Sequence, residues 1–204
     1  MILITGFGPY REALNASGPL VQSLIDDPQD ELTYLKDRLA FAVMSCDDTS
    51  RETEHRSLET HLNELLKRYK PRLCIHTGQA PPYNKIATNS FMPEVVDPAR
   101  PAAYWSNLPG TDGLKTILEQ EDIPACYSFY GGQHLCNQNL HPSLYSAEKH
   151  RPGHKAGFVH IPVLPEQVTK YHHNSHFMPL EMTRKALGLI VNHVAQAHEL
   201  RKLR

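Results

Sequence analysis

No apolar run in this 204-residue chain comes near the roughly 20 residues that a bilayer-spanning helix needs. The opening Met-Ile-Leu-Ile-Thr-Gly has no basic stretch and no cleavage site, so it reads as a strand and not as a signal peptide. An excess of charge is missing too. The 21 basic and 22 acidic residues leave a formal net charge of -1. Nothing in that balance recruits nucleic acid or an anionic membrane. Cysteine is sparse: Cys46, Cys74, Cys126 and Cys136 form no C-x-x-C pair, which excludes a zinc knuckle and a thioredoxin motif. Cys74 and Cys126 sit in apolar, strand-like runs, where a thiol acts as a small hydrophobe. Reduced thiols and a cytoplasmic location are therefore expected. No internal repeat or low-complexity tract divides the chain, and its length suits one α/β domain over residues 1–204.

What is present alternates between strand and helix signals. Strands are expected at 1–7, 38–45, from Leu73 to Gly78, at 125–129 and at 156–163. Helices are expected at 17–26 with Ser17 as N-cap, at 50–68, at 111–121, after Cys136 and at 178–200. In the second helix Leu58, Leu62, Leu65 and Leu66 share a face. In the last, Met182, Ala186, Leu189, Ile190 and His193 do. Residues 80–109 carry Pro81, Pro82, Pro93, Pro98, Pro101 and Pro109 and read as a long irregular segment of the binding-loop kind. Pro142 interrupts the helix expected after Cys136 and predicts a kink or a later start. The alternation predicts a sheet flanked by helices, with the site at strand C-terminal ends.

Two residues stand out chemically. Cys136 follows a strand and the Gly131-Gly132 turn, near the start of a helix. The positive helix end favours a thiolate, and its free N–H groups can hold an oxyanion. His160 lies at the end of a strongly apolar strand, where a neutral imidazole can accept a thiol proton and return it to a leaving amine. A buried structural cysteine and a core histidine bonded to a carbonyl would carry the same local sequence. Two histidine groups invite a zinc reading. His150 and His154 flank Pro152 and Gly153, which disfavour the helix their spacing would need. His172, His173 and His176 have no carboxylate nearby. Both groups are read as solvated.

Four segments, in order along nearly the whole chain, resemble pyroglutamyl-peptidase I, also called pyrrolidone-carboxylate peptidase. They are Thr5-Gly6-Phe7-Gly8-Pro9-Tyr10 followed by Asn15; Gly78-Gln79-Ala80; Ala103 to Pro109 with Ile123-Pro124-Ala125; and Ser128 through Gly132-Gln133-His134-Leu135-Cys136-Asn137 to Gly157-Phe158-Val159-His160-Ile161-Pro162 and Leu164-Pro165-Glu166-Gln167. The family's S-N-T-A-G-T-F-V-C-N and G-F-I-H-V-P-x-L-P-E-Q stretches keep the same interval between cysteine and histidine.

The resemblance implies a three-layer α/β/α sandwich with a mostly parallel or mixed sheet, no metal or cofactor, and a homo-oligomer, often a tetramer. It implies Cys136 as nucleophile and His160 as general base for removing an N-terminal pyroglutamyl residue from small peptides. Phe7 and Tyr10 would wall the lactam pocket, with Asn15 as a polar contact, the Gln79 backbone on the lactam, and His134 and Leu135 as further substrate contacts.

The pattern breaks around that pocket. Aligning Ala87 and Asn89 with the family's E-R-x-A-x-N puts Asn84 where the family has its catalytic glutamate. Glu94 falls nearest the family's arginine, Arg11-Glu12 replaces Gly-Gly, and His134 replaces an aromatic. Asparagine can orient an imidazole beside a cysteine nucleophile, and a preformed thiolate–imidazolium pair would need little further help. Glu94 or Asp97 could take the same role. A hydrolase with Asn84 as third residue is the leading expectation. Its acyl group is pyroglutamyl or something similarly small. The alternative is an impaired or inactive binding protein on the same scaffold.

Overall fold

The computed structural model describes residues 1–10, 13–27, 30–46, 51–80, 86–89, 91–92, 104–128, 135–150, 153–170, 173 and 175–202. All six residues of β1 (Ile2–Phe7) are buried. A strand reads this way when helices cover both faces of a parallel sheet. β2 (Leu39–Met44) and β3 (Leu73–Gln79) flank it in parallel, and β8 (Lys155–Ile161) pairs parallel to β3. The sheet then turns mixed: β4 (Ile86–Asn89) runs antiparallel to β8 and parallel to β7 (Ala125–Ser128). The order is β2-β1-β3-β8-β4-β7, with β5 (Phe91–Met92) and β6 (Tyr104–Trp105) as a separate two-stranded ribbon.

Side-chain parity sends alternate residues into two cores. Ile2, Ile4, Leu73, Ile75, Val159 and Ile161 face α1 (Ser17–Asp26), α3 (Thr111–Glu119) and α6 (Leu180–Lys202). Leu3, Phe7, Cys74, Ala156 and Phe158 face α2 (Arg51–Tyr69) and α4 (Leu135–His150). The result is the expected α/β/α layering. Among the described residues, no helix is long and apolar enough to cross a membrane, and all four cysteines are free thiols.

The expected face of α2 is the buried one, from Leu58 to Leu66. Its end is set by Lys70, whose φ of 44° is left-handed and whose N–H bonds the Leu66 carbonyl at 3.1 Å. On α6 the buried stripe is Ala186, Leu187, Ile190, Val191 and Val194. Met182 and Leu189 lie at its edge, and His193 bonds the Gly110 carbonyl at 2.9 Å.

Three local expectations are corrected, and two short helices are added. Ser17 is the first helical residue of α1, not its cap. The Asn15 carboxamide oxygen accepts its N–H at 3.1 Å and its hydroxyl at 2.8 Å, while Ser17 Oγ accepts the Phe7 N–H at 2.9 Å. The proline-rich 80–109 segment contributes β4 to the main sheet; a four-residue strand among prolines gives too short a pattern to read. A 3-10 helix at Asp30–Arg38 and a one-turn helix α5 (Pro165–Val168) carry no long periodicity and escaped the sequence reading. α4 starts at Leu135 and continues through Pro142, with Leu140 and Leu144 buried on either side, so the later start is not observed. Helix α1 docks so closely that a Cβ on Gly6 would stand 2.3 Å from the Ser17 carbonyl oxygen.

Candidate active site

Cys136 is the second residue of α4, at the positive end of a 16-residue helix. The preceding Gly131-Gly132 turn and His134 lie outside the described residues, as does Asn84. The sulfur faces the sheet at one specific point. A Cβ built on Gly78 would lie 2.9 Å from Cys136 Sγ and 2.8 Å from Phe158 Cζ. Gly78 therefore leaves the space that the thiol and the Phe158 ring share.

On the neighbouring strand, the residue in register with Gly78 is His160. Adjacent strands lie about 4.8 Å apart, and parity puts His160 on the α4 side of the sheet. Cys136 Sγ and residue 160 are thus both placed beside Gly78, at a corner near the C-terminal ends of β3 and β8. Across β8 the backbone of Ala87 pairs with His160. The imidazole-bearing residue is flanked by Gly78 on one strand and Ala87 on the other.

Aromatic rings back the corner. Phe158 stacks on Phe7 with centroids 6.4 Å apart and leans on the His160 ring at 4.9 Å. Phe7 is only 1% exposed, so it lines the wall from behind. Tyr10 is half-buried against the same cluster, and Leu135 is buried in it.

The loop carrying Asn15 is fastened by glutamines. Gln79 Oε1 accepts the Ala16 N–H and the Gln167 side-chain amide, each at 2.7 Å. Gln167, fully buried, also donates to the Leu14 carbonyl at 3.1 Å and accepts the Leu164 N–H at 2.9 Å. The Gln79 side chain is therefore committed to holding this loop. Gly78 and Gln167 lie inside the family-like segments but carry no role that residue type alone reveals: a required absence of Cβ and a bridging amide are visible only in three dimensions.

Burial sets the charge state of the pair. It pushes the Cys136 thiol up to about 12, outweighing a backbone hydrogen bond that favours the thiolate, and pushes His160, 4% exposed, down to about 4. The resting pair is thus a thiol beside a neutral imidazole, not the preformed ion pair expected from the sequence. His76, one strand-step below Gly78 on the same face, is lowered to about 3 by burial and then by nearby His154.

These two imidazoles give a stability signature. In the unfolded chain they take up protons near the ordinary histidine value of about 6.5. In the fold they stay neutral, so the unfolded state binds more protons as pH falls. The urea midpoint should hold near neutrality, then drop from about pH 6.5 towards pH 4 through His160, with His76 extending the loss further down. A midpoint constant to pH 4 would contradict the buried neutral state.

The expectation of solvated histidines fails at His154. It is buried, and its ring nitrogens contact the Pro71 carbonyl at 3.1 Å and Ser143 Oγ at 3.3 Å. Among the described residues, no group of three or more His, Cys, Asp or Glu side chains is placed to hold a metal.

A sequence profile described as pyroglutamyl peptidase matches residues 87–197, more than half of the chain. The pyrrolidone-carboxylate peptidase of Bacillus thuringiensis subsp. konkukian (strain 97-27) is 29% identical, over 93% of this chain and 90% of that protein. The crystal structure of Bacillus amyloliquefaciens pyroglutamyl peptidase I superposes with a TM-score of 0.79 at 24% identity, covering 97% of each chain. The pyrrolidone carboxyl peptidase from Thermococcus litoralis gives a TM-score of 0.81 at 24% identity, covering 100% of this chain and 96% of that one.

Proposed function

Because this chain belongs to the pyroglutamyl peptidase family, a family of cysteine omega peptidases, we propose that it removes an N-terminal pyroglutamyl residue from peptides, with Cys136 as nucleophile and His160 as base. The observation that carries the reading is the seat of Cys136 Sγ against Gly78, whose register partner is His160.

The chemistry starts from the neutral pair. As Sγ attacks the pyroglutamyl carbonyl carbon, its proton passes to the His160 imidazole. The carbonyl oxygen gains charge and is held by backbone N–H groups in the first turn of α4, which point towards the helix start. The C–N bond breaks, and the imidazolium gives its proton to the departing amine. Water then attacks the thioester, with His160 as base, freeing pyroglutamate and the thiol. A buried neutral pair gains from bound substrate, because the developing oxyanion and imidazolium stabilise each other where water is excluded.

The proposed lactam site uses Tyr10, Leu135 and His134 at the wall, Phe7 behind, and Asn15 and the Gln79 backbone as polar contacts. Asn84 lies three positions before Ala87, whose backbone pairs with His160. The proposal gives Asn84 the role of orienting the imidazole.

The test is release of a chromogenic amine from its pyroglutamyl, prolyl and acetyl amides. The prolyl compound keeps the ring and lacks the lactam carbonyl. A site built to bind that carbonyl should prefer the pyroglutamyl compound by about 10²-fold or more. Equal rates on the three, or none above buffer, would sink the reading. Replacing Asn84 with glutamate should raise the rate if Asn84 occupies the orienting position.

A further inference from the structure

Beneath the Cys136–His160 corner lies a buried polar cluster that the hydrolase chemistry does not use. Helix α4 descends along the sheet away from Cys136. One turn below Cys136 it carries Asn139, and one strand-step below Gly78 β3 carries His76. Thr5 of β1 joins them. The Asn139 side-chain amide donates to Thr5 Oγ1 at 3.1 Å, and Thr5 Oγ1 lies 2.8 Å from His76 Nδ1. The Thr5 carbonyl is taken by the Thr77 hydroxyl at 2.8 Å. All three side chains are 0% exposed.

With the Asn139 amide nitrogen on Thr5 Oγ1, the pattern of donors favours one histidine tautomer. Thr5 Oγ1 has one proton, and it already accepts from Asn139. If it donates to His76 Nδ1, every proton at the hydroxyl is used. If Nδ1 donated instead, the hydroxyl proton would be left without an acceptor. The neutral His76 ring then carries its proton on Nε2. Among the described residues, two buried atoms of the cluster have no partner: His76 Nε2 and Asn139 Oδ1. They are of opposite kind, one a donor and one an acceptor. They also belong to two side chains fastened to the same hydroxyl. Leaving both unmet costs about 1–3 kcal/mol each. One molecule that both accepts and donates, such as water, satisfies both.

We propose that His76 Nε2–H and Asn139 Oδ1 hold one internal water, and that this hydrated link makes Asn139 a positioning residue that fixes the first turn of α4, and so Cys136 Sγ, over Gly78. The water half stands independently; the positioning half rests on the hydrolase reading above.

The test uses the full-length protein labelled with ¹⁵N-histidine. Long-range proton–nitrogen correlation should show His76 as the Nε2–H tautomer. Rotating-frame exchange spectroscopy should show that proton in contact with a long-lived water. Finding the Nδ1–H tautomer, or no such water, overturns the site. Asn139→Leu keeps the bulk and removes the acceptor. It should erase the water contact and lower kcat about tenfold with KM unchanged, the effect of a slightly misplaced nucleophile. Loss of the water with kcat unaltered overturns the positioning role. If Asn139→Leu does not fold, Thr5→Val, which keeps shape and removes the hydroxyl, is read the same way. If the wild type proves inactive on pyroglutamyl amides, the spectra still decide the water. Iodoacetamide labelling of Cys136 at high pH then reads positioning: a changed rate in the variant supports it, and an identical rate overturns it.

Discussion

Replacing Cys136 with alanine should remove hydrolysis of a pyroglutamyl amide, lowering kcat by at least about 10³-fold, while leaving the fold and ligand binding in place. A covalent route has no substitute for its nucleophile, and what survives such a deletion is the modest acceleration from bound geometry and oxyanion donors. Cys136 packs against the α2–α4 core, and its sulfur is a single atom, so its loss leaves only a small gap. Circular dichroism and the urea midpoint should therefore stay close to wild type. The binding-protein alternative predicts the reverse pattern: no difference in rate between wild type and Cys136→Ala. Slow alkylation at neutral pH does not decide between the two. A thiol pushed up to about 12 by burial presents little thiolate in the free protein under either reading.

Gly78→Ala carries the second large effect. The added methyl would sit 2.9 Å from Cys136 Sγ and 2.8 Å from Phe158 Cζ, closer than carbon tolerates either atom. The sulfur and the ring must move, and both movements open the corner that His160 completes. A nucleophile displaced by roughly an ångström loses about 10²-fold in rate. The loss should fall on kcat, with KM little changed, because Gly78 contributes no side chain to the lactam. Stability should drop by about 1–3 kcal/mol, the usual cost of forcing an extra methyl into a packed site. A Gly78→Ala enzyme with wild-type kcat would mean that the sulfur does not work from this seat.

The parts of this architecture that announce themselves in sequence are those with long repeats of pattern. The four leucines of α2 declare their face because a helix of 19 residues repeats its period several times. The largely apolar stretch at 156–163, bounded by Pro162, declares a strong strand. The positions of Cys136 at a helix start and His160 near a strand end follow from flanking glycine and proline signals. The interior contacts are different in kind. β4 is four residues long and depends on β7 and β8 to exist as a strand. Ser17 has the chemistry of a cap, yet it serves the Phe7 backbone because α1 docks against β1. His154 appeared solvated because its partners, the Pro71 carbonyl and Ser143, are far away in sequence. The protonation of the central pair is the least legible in sequence, since the helix end is visible there and the burial opposing a charge is not.

Strand β8 is last in sequence but internal in the sheet, with β3 on one side and β4 on the other. Among the described strands, it alone joins the β2-β1-β3 half to the β4-β7 half. During synthesis the two halves must therefore wait, edges unmatched, until residues 155–161 leave the ribosome. The same insertion delivers His160 beside Cys136. A nascent chain thus acquires its potential for bond cleavage in the very event that closes its sheet, and a partly made copy has none.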